Sequence, residues 1–149
     1  MERIRKGTIG DLERIVDFQI EMAKETEGLI LDKDIVTKGV QAVFEDVSKG
    51  TYYIAEDDGR TLGMLLIIPE WSDWRNGTVL WIHSLYVIPQ YRKKGVFRKL
   101  YQFLKEKVED SPELGGLRLY VDKNNRKAHK VYEKFGMNKD HYVMYEWIK

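Results

Sequence analysis

Cysteine is absent from this 149-residue chain. That absence excludes disulfides, thiolate metal sites and a cysteine nucleophile together, and it fits a reducing cytoplasm. An excess of one charge is also missing: 25 lysines and arginines stand against 24 aspartates and glutamates, a net of +1. No long-range field therefore marks nucleic acid or an anionic membrane as a partner. The longest apolar run, Met64–Pro69, is far too short to span a bilayer. The opening residues Met1 to Lys6 hold no apolar stretch and do not read as a signal peptide. The three histidines, His83, His129 and His141, lack the paired spacing of a metal site, so no metal is expected. Repeats and Pro/Gly/Ser-rich linkers are lacking too, and the length predicts a single domain over 1–149.

What is present is the composition of a globular protein, 43% hydrophobic and 33% charged. Residues 3–6 read as an edge strand, and Thr8 to Asp11 has capping-box spacing. Leu12, Ile15, Val16, Gln19, Ile20 and Ala23 predict a helix over roughly 9–25. Ile35, Val36, Val40, Val43, Phe44 and Val47 predict a second over about 34–49. Strands follow at 52–56 and 61–68 around Asp57-Asp58-Gly59-Arg60, then a polar loop with two tryptophans over 70–77. A long strand at 78–88 ends at Pro89, which lacks the ladder donor. A helix over about 96–109, a strand at 117–121 after the breaking pair Gly115-Gly116, a helix from Asn125 to Gly136 and a last strand at 141–148 complete the chain. The fold class is α/β with a mixed (α+β) sheet, in the order β-α-α-β-β-β-α-β-α-β.

The stretch Leu85 to Arg98 carries the chemistry. It is a strand, a basic turn with Gly95, and a helix N-terminus whose unpaired N–H groups and dipole suit a pyrophosphate. Gly95 lets the backbone approach such a group without a Cβ, and Arg92, Lys93, Lys94 and Arg98 add positive charge. A solvated surface turn is the equal alternative on these residues alone.

Arg92-Lys93-Lys94-Gly95-Val96-Phe97, entered through Leu85-Tyr86-Val87-Ile88-Pro89-Gln90-Tyr91, resembles the acetyl-CoA-binding motif of GNAT acetyltransferases, Arg/Gln-x-x-Gly-x-Gly/Ala. Further on, Asn125-x-x-Ala128-x-x-x-Tyr132-Glu133-Lys134-x-Gly136 resembles the second signature of that family. The opening Ile4-Arg5-Lys6 and Asp11-Leu12 are similar as well, so the resemblance covers essentially the whole chain in matching element order. One position departs: Phe97 stands where the family has glycine or alanine, although its backbone N–H remains.

The resemblance implies a splayed central strand pair, with the pantetheine arm of acetyl-CoA lying between strands 78–88 and 117–121. Backbone groups of Leu85 and Val87, flanking Tyr86, would bond the arm and the acetyl carbonyl. Lys93, Lys94, Gly95, Val96, Phe97 and Arg98 would cradle the pyrophosphate, with Arg92 at the motif's first position. Asn125, in one signature with Ala128, would contact the cofactor, and Tyr132 would be the general acid. The activity implied is N-acetylation of a primary amine on a small molecule or peptide, without metal.

Such an amine, with a pKa of about 10.4, must lose a proton before it attacks the thioester. The tetrahedral intermediate needs an N–H donor, which a strand can offer, and an acid eases departure of the thiolate. Many relatives hold a glutamate two residues before Leu85; this chain has His83, and a histidine is a residue type that can accept a proton. Glu70 is the second candidate, and a water relay the third.

Each assignment has a plainer counterpart. Tyr132 lies on the apolar stripe of its helix and can be core; Asn125 can be an N-cap alone. Trp71 and Trp74 can wall the acceptor or cover a hydrophobic edge. Glu21, with Glu25 and Glu27, can receive a cationic amine or form a solvated face. Tyr142, Tyr145 and Trp147 suit a homodimer through the last strand, or internal packing. Two other functions stay open: an acetyl-CoA-binding module without turnover, and a nucleic-acid module using Arg92–Lys94, which the near-zero net charge disfavours.

Overall fold

The computed structural model describes residues 2–149, in two compact units that divide after Leu119. In the first, β1 (Glu2–Lys6) leads to a 3-10 turn at Ile9–Asp11, where the Thr8 amide donates to the Asp11 carboxylate at 2.8 Å. Helix α1 (Leu12–Glu27) ends at Gly28, whose φ of 65° is the left-handed C-cap conformation. Helix α2 (Lys33–Glu45) begins at Asp32, whose carboxylate accepts from the Ile35 amide at 3.0 Å. It stops short of the expected Lys49. Asp46 takes the Ser48 amide at 3.0 Å and turns the chain into a 3-10 segment, Val47–Lys49.

Strands β2 (Thr51–Asp57) and β3 (Arg60–Ser72) form a hairpin around Asp58 and Gly59, both at positive φ. Strand β3 runs on through Glu70, Trp71 and Ser72, residues expected in a loop, because each pairs with β4 (Gly77–Val87). Helix α3 (Val96–Glu109) covers the span the apolar spacing predicts, and β5 (Leu114–Leu119) returns parallel to β4. Gly115 and Gly116 lie inside β5 rather than ahead of it. A register shift at Thr78/Val79 accompanies them, and Gly116 takes a φ of 156°. The sheet order is β1-β2-β3-β4-β5.

Hydrophobic burial on both sheet faces holds this unit together. On one face Ile15, Val16 and Phe18 of α1 and Val40 of α2 pack with Tyr52, Ile54, Met64, Leu66 and Tyr86. On the other, Tyr53 meets Phe103 of α3 at 5.0 Å between ring centroids, and Leu100 and Leu104 are fully buried. Each fully buried Leu or Ile contributes roughly 1.5–3 kcal/mol. A surface ion pair contributes about 0–1 kcal/mol, so packing decides the stability.

The edge strand β1 carries the exception. Glu56, 5% exposed, accepts from Arg3 Nε and Arg5 Nε, each at 2.6 Å, while Arg5 Nη2 and Nη1 each reach Asp11 at 2.8 Å. Hydrogen bonds from Arg5 hold the Asp11 and Glu56 carboxyls below their usual range. A carboxylate whose pKa falls on folding adds stability above its unfolded pKa and loses it as pH falls through the folded value. Urea unfolding is therefore expected to show a stability loss below about pH 4 that is blunted in Arg5→Ala. An equal acid slope in both proteins would contradict this role.

The second unit, Tyr120–Lys149, holds α4 (Arg126–Lys134). No strand forms over residues 141–148. Aromatic and β-branched residues do not make a strand without a ladder partner. Tyr142, Tyr145 and Trp147 are exposed, and the expected dimer through a last strand lacks that strand.

Candidate functional site

The pairing of β4 with β5 ends at Ile82 and Leu119, yet β4 continues through Val87. From His83 onward its β5-facing edge is released, the splay that the sequence resemblance implies. On the other side β3 stays paired: Ser84 lies opposite Leu66 and Ile82 opposite Ile67, so His83 is the extra residue of a bulge. Beyond the bulge, Ser84 and Tyr86 point to the α1 face. Gln19 Nε2 donates to Ser84 Oγ at 3.0 Å, and the Phe18 and Tyr86 rings lie 5.0 Å apart.

The hydrogen-bond parity of this segment follows from one contact. The Ile88 amide donates to the Leu62 carbonyl at 2.9 Å, so Tyr86 and Ser84 also turn their backbone groups to β3. Leu85 and Val87 then present theirs to the released edge. The Val87 carbonyl confirms the parity, because it accepts from Arg92 Nε at 2.8 Å. His83 is exposed on the same segment, and its side chain makes no hydrogen bond or ion pair among the described residues.

This edge leads into the helix terminus. After a 3-10 turn at Pro89–Tyr91, Lys93 takes φ 63° and Gly95 φ 91°. A lysine in the left-handed region is a local strain of the kind that collects at functional sites. Lys99 N bonds to Gly95 O at 3.0 Å as the first helical bond, so the amides of Val96, Phe97 and Arg98 precede the ladder. Val96, 2% exposed, anchors the helix start, and Phe97 is half-buried beside it. Lys93, Lys94 and Arg98 are exposed, with the Lys94 ammonium 5.0 Å from the Tyr91 ring centroid. Arg92 differs from them: its Nη2 meets Glu25 of α1 at 2.7 Å, and its guanidinium lies 5.3 Å from the Tyr86 ring. Burial, and then the charge of Glu25, push the Tyr86 phenol above its usual pKa, while Arg92 pulls it back.

The other candidates lie on β3, β4 and α1. Glu70 uses both oxygens, one accepting from Trp81 Nε1 at 3.1 Å and one from Arg118 Nη1 at 2.8 Å. Both carboxylate oxygens of this candidate are therefore already engaged by donors of β4 and β5. Trp71 is 65% exposed on β3 and Trp74 89% exposed in the turn after it. Glu21 is exposed on α1. A concavity of about 280 Å³ opens elsewhere, beside the start of β2 between Gly7, Ile9, Phe44 and Val47. Among the described residues no cluster of three or more His, Asp or Glu could hold a metal. No described helix is long and apolar enough to cross a membrane.

A released strand edge running into a basic helix N-terminus is the arrangement the two signatures imply. The family model for the acetyltransferase (GNAT) family matches residues 16–137. The chain belongs to that family. This GNAT chain is similar to a possible acetyltransferase from Clostridium difficile 630, with 40% identity, a TM-score of 0.95 and coverage of 100% and 98% of the two chains. Its fold is shared by a ribosomal-protein-alanine N-acetyltransferase from Brucella melitensis biovar Abortus 2308. There the identity is 16%, the TM-score 0.78 and the coverage 99% and 100%. It is shared as well by AAC(6')-Iy, solved with the bisubstrate analogue CoA-S-monomethyl-acetylneamine: 16% identity, TM-score 0.78, coverage 100% and 99%. Among curated proteins no match is found.

The second GNAT signature lies in the other unit. Asn125 caps α4, its side chain accepting from the Ala128 amide at 3.2 Å. Tyr132, on the second turn of that helix, is half-buried. Sequence reasoning singled out Arg92 but not the partners that hold it. Glu25 sits 67 residues away, and no local pattern links the two. The part-buried Gln19–Ser84 pair escaped for the same reason, although a polar Gln19 within an apolar stripe was a usable signal.

Proposed function

We propose that this chain is an acetyl-CoA-dependent N-acetyltransferase, working as one domain over 1–149. It moves the acetyl group directly to a primary amine of a small molecule or peptide. The observation that carries the reading is the released edge of β4, where the Leu85 and Val87 backbone leads into the basic N-terminus of α3. The residues fit the acyl donor. An extended arm can add to that edge as a strand would, and a pyrophosphate suits the amides of Val96, Phe97 and Arg98 with Lys93 and Lys94 beside them.

The roles follow from chemistry. The outward Leu85 amide offers a donor to the oxygen that gains charge when the amine attacks. His83, exposed on its bulge at the same edge, takes the amine proton directly or through water. Tyr132 enters on the strength of the second signature, as the acid that protonates the departing thiolate. No covalent enzyme intermediate is needed, in keeping with the absence of cysteine. Glu21, Trp71 and Trp74 belong to the acceptor side in this reading, and the compartment is the cytoplasm. The fold neighbours named for a ribosomal-protein alanine and for an acetylneamine analogue support both acceptor classes.

A second reading has its own observation: Phe97 replaces the motif's small residue, and His83 replaces the usual glutamate. On that reading the chain binds acetyl-CoA without turnover. Thiol release from acetyl-CoA separates the two, assayed across polyamines, amino acids, aminoglycosides, arylamines and peptide N-termini. The protein adds no background thiol. Release with one amine class supports the enzyme. Tight acetyl-CoA binding with silence across the panel supports the binder, and no binding contradicts both.

A further inference from the structure

Arg92 is the one basic residue at the head of α3 whose guanidinium is turned back into the fold. Its Nε donates to the Val87 carbonyl at 2.8 Å, its Nη2 meets Glu25 Oε2 at 2.7 Å, and its plane lies 5.3 Å from the Tyr86 ring centroid. The Tyr86 hydroxyl is 3.5 Å from the other Glu25 oxygen. One side chain thus joins the last turn of α1, the end of β4 and the loop before α3. Lys93, Lys94 and Arg98, by contrast, carry no ion pair to a described residue and stand exposed.

We propose that Glu25 and Arg92 are positioning residues, which fix the released edge of β4 by holding the Val87 carbonyl, and that Arg92 does not serve as a phosphate ligand. This rests on the acyl-donor reading for its functional consequence. The physical case is geometric. Past Ile82, β4 has lost its β5 partner, so its end is tied on the β3 side only. A carbonyl on the open side is free to swing unless something accepts the task of holding it. Arg92 does so with one arm of a rigid fork while Glu25 holds the other, a geometry that lysine cannot reproduce.

The pair is half-exposed, with side-chain exposures of 42% and 37%. Such a pair adds little to global stability, so its value lies in where it sets the strand end. The arm of the donor adds along the Leu85–Val87 edge, whereas the nucleotide end meets the α3 terminus. Loss of the pair should then weaken the first and spare the second.

The test compares Glu25→Gln, Arg92→Lys and the double variant, by calorimetry with CoA and with 3′-phospho-ADP, which lacks the pantetheine arm. We expect CoA to bind about tenfold more weakly to each single variant, with the double variant no worse than either, since coupled residues are non-additive. Binding of 3′-phospho-ADP should stay within about twofold of wild type, whereas Arg98→Ala weakens both ligands. In the unliganded protein, exchange of the Ile88 amide, bonded to Leu62, should quicken about tenfold while that of Ile54 is unchanged. Equal loss of CoA and 3′-phospho-ADP in Arg92→Lys, with Glu25→Gln silent, would overturn the proposal and make Arg92 a phosphate ligand. If wild type binds neither ligand, the acyl-donor reading fails. The exchange arm then decides alone, and unchanged Ile88 protection overturns the positioning role.

Discussion

Leu85→Pro should lower turnover by about a hundredfold or more, the usual cost of losing one oxyanion donor, while the domain stays folded. The reason is the parity of β4. The Leu85 amide faces the released edge and donates nothing to β3, whereas Tyr86 and Ser84 face the β3 ladder. Proline is tolerated where the missing N–H points away from a partner strand, and it breaks a strand where the N–H is bonded. Tyr86→Pro is therefore the control and should unfold the protein, since it also removes a ring packed on Phe18. Circular dichroism and urea unfolding establish the fold of each variant, and thiol release gives turnover. A folded Leu85→Pro protein with undiminished turnover would remove the strand amide from the mechanism.

Tyr132→Phe is the second large effect. Loss of a general acid costs roughly 10²–10⁴-fold in rate, and a fall in kcat of that order is expected with KM for acetyl-CoA within about twofold. The phenylalanine keeps the half-buried ring on α4 and deletes only the hydroxyl. Stability should then change by about 1 kcal/mol or less, the net worth of one hydrogen bond. The pH profile supplies an independent readout, because an essential acid must be protonated and its loss removes the alkaline limb. Wild-type kcat in the variant would leave Tyr132 a packing residue.

The order of elements was legible because apolar periodicity survives wherever a helix or strand has one buried face. Leu100, Tyr101 and Leu104 mark α3, and all are buried. The signatures around Gly95 and Asn125 were legible because backbone requirements leave local traces. Gly95 sits at φ 91°, and Asn125 caps its helix. Partner-dependent features were not legible. Glu70, Trp71 and Ser72 look like a polar loop until Gly77, Thr78 and Val79 pair with them. The stretch 141–148 has the aromatic and apolar content of a strand yet has no ladder. His83 could not be placed by alternation because the bulge between Ser84 and Ile82 shifts the count. The Glu25–Arg92 pair depends wholly on tertiary approach.

The central claim is that the released edge of β4 and the start of α3 hold the acyl donor. Amide chemical shifts in nitrogen-15-labelled protein, followed during titration with acetyl-CoA, test it most directly. Leu85, Val87 and Val96 to Arg98 should move together and saturate at one affinity, with the residues around Gly7 and Phe44 unmoved. Shifts centred on that other concavity, or none at β4, would contradict the account.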